Sequence, residues 1–105
     1  MKEIQFSENI QNIWLKFNNL TETPRKLPKT LENVDLSGNE IEIIRINSFS
    51  NLENLEKLIL FKNQIKVIEP NSLIGLKNLK NINLIFNHLN RIPAFPTNIT
   101  VLSTP

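Results

Sequence analysis

Apolar side chains recur along this chain in a fixed frame. Leu55, Leu58, Leu60 and Ile65 take places one, four, six and eleven of an eleven-residue window, with Asn63 at place nine. The same frame fits Ile10 to Leu20, Leu31 to Ile41 and Leu79 to Leu89, where Asn18, Asn39 and Asn87 take the ninth place. A fifth copy opens at Ile99 and runs to Leu102. Alternation of apolar and polar places predicts a short strand in each window, because successive side chains of a strand project to opposite faces. The signature leucines then point inward and the intervening residues outward onto a sheet. The Asn turns the chain away from it.

The segments between windows are too long for hairpins, and consecutive strands run the same way, so the strands are parallel and joined by right-handed crossovers. The starts Ile10, Leu31, Leu55, Leu79 and Ile99 are spaced by 21, 24, 24 and 20 residues. In the two long units Phe49-x-x-Leu52 and Leu73-x-x-Leu76, preceded by Asn47-Ser48 and Asn71-Ser72, predict a single helical or 3₁₀ turn with all four apolar side chains inward. Phe6-Ser7-Glu8-Asn9-Ile10, Leu27-Pro28-Lys29-Thr30-Leu31 and Phe95-Pro96-Thr97-Asn98-Ile99 lead into the remaining strands and predict extended returns, two of them stiffened by proline. The expected architecture is an α/β solenoid: one domain over residues 1–105, short and curved, with a parallel concave sheet of four or five strands and irregular or 3₁₀ convex returns.

The window L-x-x-L-x-L-x-x-N-x-I is the leucine-rich repeat signature. Leu31 to Asn54, with Ile44, Phe49 and Leu52 in place, resembles the 24-residue "typical" subfamily of extracellular leucine-rich repeats. The alternation of a short proline-bearing unit with two long ones resembles segments of Toll-like receptor ectodomains and small leucine-rich proteoglycans. The stretch from Ile92 to Leu102 is similar to the proline-bearing return of bacterial effector repeats. These resemblances imply a binding surface built by repetition. For location they leave two alternatives, extracellular if the likeness extends that far and cytoplasmic otherwise.

Composition removes several functions. Net charge is +2 with both signs interspersed, so the pI near 9.1 reflects a small imbalance and nucleic-acid binding is not expected. There is no Cys, and His88 is the only histidine, which leaves no metal-ligand set and no expected cofactor. Ser37, Ser48, Ser50 and Ser72 have no histidine placed to act as base, so catalysis is not expected. The sequons Asn19-Leu20-Thr21 and Asn98-Ile99-Thr100 are what so Asn-rich a chain produces by chance. No apolar run reaches membrane-spanning length, so membrane insertion is not expected.

The four repeated Asn residues, Asn18, Asn39, Asn63 and Asn87, are expected to be architectural, bonding backbone groups that each turn leaves unpaired. Partner binding is expected on the outward places of the strands: Trp14, Lys16, Asp35, Lys57, Ile59, Phe61, Asn83 and Ile85. There Trp14, Ile59, Phe61 and Ile85 supply apolar anchors on exposed sheet. Phe17 and Phe86, beside the Asn, have the alternative of folding over the turn. The leading expectation is a non-enzymatic protein-interaction module with a protein partner on the concave face. The alternatives are a structural or assembly fragment of a larger extracellular repeat protein and an intracellular effector-like repeat protein. Self-association through the C-terminal end is also expected. There Ile92, Phe95, Ile99 and Leu102 lack a following unit, while Ile4 and Phe6 cover the first strand.

Overall fold

A computed structural model describes residues 9–91, Phe95 and residues 99–102. The returns expected around Ile4, Phe6 and Pro96 lie outside the described residues. Five strands follow the windows: β1 (Asn12–Trp14), β2 (Asn33–Asp35), β4 (Lys57–Ile59) and β6 (Asn81–Asn83) take places three to five, whereas β7 (Thr100–Leu102) is displaced by one place from the frame starting at Ile99, so that Val101 lies opposite Ile82 and Leu102, expected inward, faces outward. They form one all-parallel sheet in the order β1-β2-β4-β6-β7. β1, β2, β4 and β6 are each three residues long and are followed at place eight by a left-handed turn. Phe17, Gly38, Lys62 and Phe86, each just before its Asn, have φ of 55°, 69°, 57° and 60°.

The signature side chains fill a continuous core. Leu31, Leu36, Leu55, Leu58 and Leu60 are fully buried, as are Ile41 and Ile65. From the convex side, Phe49, Leu52, Leu73 and Leu76 close the core as their spacing predicts. No helix occurs among the described residues. The expected turns are present as isolated i-to-i+3 bonds: Leu52 N–H donates to Phe49 C=O at 3.4 Å, and Leu76 N–H to Leu73 C=O at 3.1 Å. The helical component of the α/β expectation therefore reduces to single 3₁₀-type turns.

One element goes beyond the sequence reading. β3 (Ile43–Ile44) and β5 (Val67–Ile68) pair in parallel beyond the Asn turn, with Ile44 opposite Ile68. They belong to the two units of equal length, so their β-branched residues stack in register. Arg45 lies 3.8 Å from Glu69 and Lys66 lies 3.6 Å from Glu42 across the same pair of units. Exposed ion pairs of this kind contribute little stability, and here they mark register.

Polar ladders join the units. The Asn39 Oδ1 accepts from the Asn18 and Leu20 N–H groups at 2.9 and 3.0 Å, while its Nδ2 donates to Leu15 C=O and Leu36 C=O at 2.9 and 2.8 Å. Asn63 accepts from Ile41 N–H at 3.2 Å and donates to Leu36 and Leu60 C=O. Asn87 repeats the pattern one unit on, from Ile65 N–H to Leu60 and Leu84 C=O. Each Asn thus fastens its own turn to the unit before it. The side chain of Asn18, in the first window, is exposed and among the described residues donates only within its own turn, to Lys16 C=O at 2.9 Å.

A second ladder runs along the far side. Asn54 Nδ2 donates to Lys29 C=O and Asn78 Nδ2 to Glu53 C=O, at 3.2 and 2.6 Å, and Thr30 Oγ1 donates to Ile10 C=O at 2.6 Å. All three residues stand immediately before the first apolar place of a window. Their sequence signal is the recurrence of Asn at the 24-residue spacing in Asn54 and Asn78.

Leu60→Ala opens a cavity in the central unit and is expected to cost about 2–5 kcal/mol, read from urea unfolding. Asn63→Ala strands buried backbone groups of two units and is expected to cost roughly 1–3 kcal/mol. Asn18→Ala, which removes no bond between units among the described residues, is expected to cost less than about 0.5 kcal/mol. Equal losses for the two Asn variants contradict the backward direction of the ladder.

Candidate functional site on the concave sheet

Register sorts the outward side chains into rows. One row reads Trp14, Asp35, Ile59, Asn83, Leu102, and a second reads Asn12, Asn33, Lys57, Asn81, Thr100. Beyond the strands the hydrogen-bond ladder continues. Phe17 N–H reaches Ser37 C=O, Gly38 N–H reaches Phe61 C=O and Lys62 N–H reaches Ile85 C=O at 2.9 to 3.1 Å. Lys16, Ser37, Phe61 and Ile85 therefore form a third row on a rigid backbone.

The eight expected binding residues all lie on this face, in different environments. Trp14 is 68% exposed and forms the most open apolar surface of the sheet. Ile59, Phe61 and Ile85 are half-buried and adjoin one another across β4 and β6. Phe86 packs against Phe61 with ring centroids 5.5 Å apart and planes tilted by 56°, which extends that strip toward the turn. Asp35 stands between Trp14 and Ile59 in its row, so the four apolar anchors form a single indole and a separate strip rather than one continuous cluster.

Asp35 points out of the sheet yet is only 6% exposed. Its Oδ1 accepts from Ser37 N–H at 3.0 Å and from Ser37 Oγ–H at 2.7 Å, and its Oδ2 lies 3.5 Å from Lys16 Nζ. A carboxylate with neighbouring side chains closing over it needs such donors. Asn83 plays the same local part in β6, its Oδ1 accepting from Ile85 N–H at 3.0 Å. Both residues thus fix the chain where it leaves its strand. Alternation alone shows their direction and not this use.

Lys57 is exposed and flanked in register by Asn33 and Asn81. The Asn33 amide donates to Asn12 Oδ1 at 2.6 Å, an amide pair that strand alternation did not single out. Asn12, Trp14, Asn33, Asp35, Lys57 and Ile59 line a shallow hollow of about 300 Å³. It offers amides, an ammonium and an indole, which suit recognition of polar groups beside an apolar one.

Phe17 and Phe86 are 67% and 62% exposed, so neither is sealed over its turn. Phe17 lies on Gly38: a Cβ there would stand 2.2 Å from the Phe17 ring, and the φ of +69° already favours glycine. The aromatic ring and the glycine thus form one feature at the edge of the sheet. Among the described residues no group of three or more His, Cys, Asp or Glu is placed to hold a metal ion. No helix among them is long and apolar enough to cross a membrane.

Comparison with known proteins agrees with this geometry. The profile of the Leucine rich repeat family matches residues 29–89. Osteomodulin of Mus musculus is 44% identical over 50 residues, covering 48% of this chain and 12% of that protein. Toll-like receptor 9 of Sus scrofa is 44% identical over 50 residues and that of Bos taurus 42%, each match covering 48% of this chain and 5% of the receptor. The chain therefore corresponds to a small part of the length of these relatives. A family profile that covers the central windows, over the same strands, turns and ladders, leads to one conclusion: the chain belongs to the leucine-rich repeat family.

Proposed function

We propose that this chain is a non-enzymatic interaction module whose concave sheet receives a protein partner. Leucine-rich repeat domains are in general protein-interaction modules, and the choice of face is our own reading. The observation that carries it is the apolar strip of Ile59, Phe61 and Ile85, joined by Phe86, with the exposed Trp14 beyond Asp35 on the same face, on strands whose backbone is hydrogen-bonded to both neighbours at β4. Partly exposed aromatic and aliphatic groups on a rigid support are the usual anchors of protein interfaces. The core is complete without them, since Leu58, Leu60, Ile82 and Leu84 fill it from the same strands.

Phe61→Ser with Ile85→Ser is expected to move the urea midpoint little and to abolish capture of a partner isolated with the native chain. Unchanged capture would move the binding surface to the convex side, where Ile46, Val67 and Ile74 are exposed.

A second reading, association between copies through β7, has its own observation. Val101 takes the place held by the fully buried Leu58 and Ile82 but is half-buried, and Leu102 is 47% exposed. The outer edge of β7 has no strand beside it among the described residues, and such an edge is a template for pairing. Sedimentation over a concentration series is expected to show association of the 105-residue chain. A chain that stays monomeric at high micromolar concentration contradicts this reading.

A further inference from the structure

Charge is arranged differently on the concave face and on the flanks. Flanking carboxylates pair between units, Glu42 with Lys66 at 3.6 Å, Glu56 with Lys80 at 3.6 Å and Glu69 with Arg45 at 3.8 Å. Among the residues of the three rows and the turn beside them, Asp35 is the sole carboxylate, against Lys16, Lys57 and Lys62. Ser37 and Lys16 already occupy Asp35. Lys57 and Lys62 are exposed, and among the described residues neither has a carboxylate within ion-pair distance.

These two lysines bracket Ile59 and Phe61 on the central unit. Side chains on one face of a strand follow at about 6.6 Å, so Lys57 and Phe61 are separated by roughly 13 Å, with Lys62 at the turn just beyond. The amides of Asn33 and Asn81 stand in register on either side of Lys57, where they can donate to the second oxygen of an incoming carboxylate. The central unit thus presents cation, apolar, apolar, cation.

Resting on the concave-face reading, we propose that the partner contributes an extended acidic segment to this face. An apolar side chain of that segment lies on Ile59 and Phe61, and carboxylates on either side of it meet Lys57 and Lys62. A nucleic-acid backbone is a poorer match. It asks for a track of basic side chains, whereas the second row is neutral on every strand but β4 and the strip beside it is aliphatic and aromatic. Desolvated apolar contacts bordered by steering charge are what an acidic peptide with an apolar anchor can use.

The test uses a fluorescein-labelled peptide in which Glu, Leu, Glu, Phe and Glu alternate with Ser, so that these side chains share one face when extended. Its controls are the same peptide with Lys for every Glu, and a single-stranded oligothymidylate. Anisotropy is expected to show the acidic peptide bound at least about tenfold more tightly than the basic one, weakening with salt. The double variant Lys57→Gln with Lys62→Gln, checked for an unchanged urea midpoint, is expected to lose about tenfold in affinity. The proposal is overturned if the basic peptide binds as well, if oligothymidylate binds more tightly, if the double variant binds normally, or if the acidic peptide does not bind at high micromolar concentration. Phe61→Ser with Ile85→Ser separates the two levels. If it abolishes binding of whichever probe adheres, the concave face stands and only the acidic preference is judged by the controls. If that binding persists, the concave face itself fails.

Discussion

Every feature of this molecule depends on backbone groups left unpaired where the chain turns out of each three-residue strand. Such short strands satisfy few of their own amides, and an interior turn without partners would be costly. Asn39, Asn63 and Asn87 solve this by reaching into the preceding unit, accepting from its N–H groups (two at Asn39, one each at Asn63 and Asn87) and donating to carbonyls of both units. Stacking is therefore a condition of each turn being satisfied, as well as a means of burying leucines. Among the described residues the Asn18 side chain bonds only within its own turn, to Lys16 C=O.

This arrangement separates scaffold from surface. Inward places are occupied by Leu, Ile and Val with almost no variety, while the outward places of the same strands hold Trp, Lys, Asp, Ile, Phe and Asn. Because the backbone bonds continue past the strands to Phe61 and Ile85, the outward side chains are held by a frame that does not need their chemistry. Asp35 and Asn83 are the exceptions, lying on the surface by direction while bonding the backbone or side chain two residues on. Substitution at Ile59 or Lys57 thus addresses recognition, whereas substitution at Asp35 addresses both recognition and the turn.

How much was legible in the sequence follows the same division. The alternation around Leu58 and Leu60, the ninth-place Asn and the inward Phe49 and Leu52 are periodic signals, and periodicity reports which way a side chain points. It does not report what lies beside that side chain in the neighbouring unit. The burial of Asp35 depends on Ser37 and Lys16, the packing of Phe61 on Phe86, and the pairing of β3 with β5 on two successive returns of equal length. The ladder of Thr30, Asn54 and Asn78 was present as a recurrence in two of its three members, and it becomes recognisable once those side chains are seen to reach the carbonyls of Ile10, Lys29 and Glu53. For the candidate site, membership of the concave face was readable at all eight positions, and the division of its apolar residues into Trp14 and a separate strip was not.

The concave surface as the recognition face is the central functional claim, and contact mapping addresses it most directly. A photoreactive benzophenone side chain in place of Phe61 would report what approaches the strip, and the same group in place of the exposed Ile74 would report the convex side. Irradiation in the presence of a captured partner is predicted to give an adduct from position 61 and none from position 74. Adducts formed from position 74 alone would contradict the account.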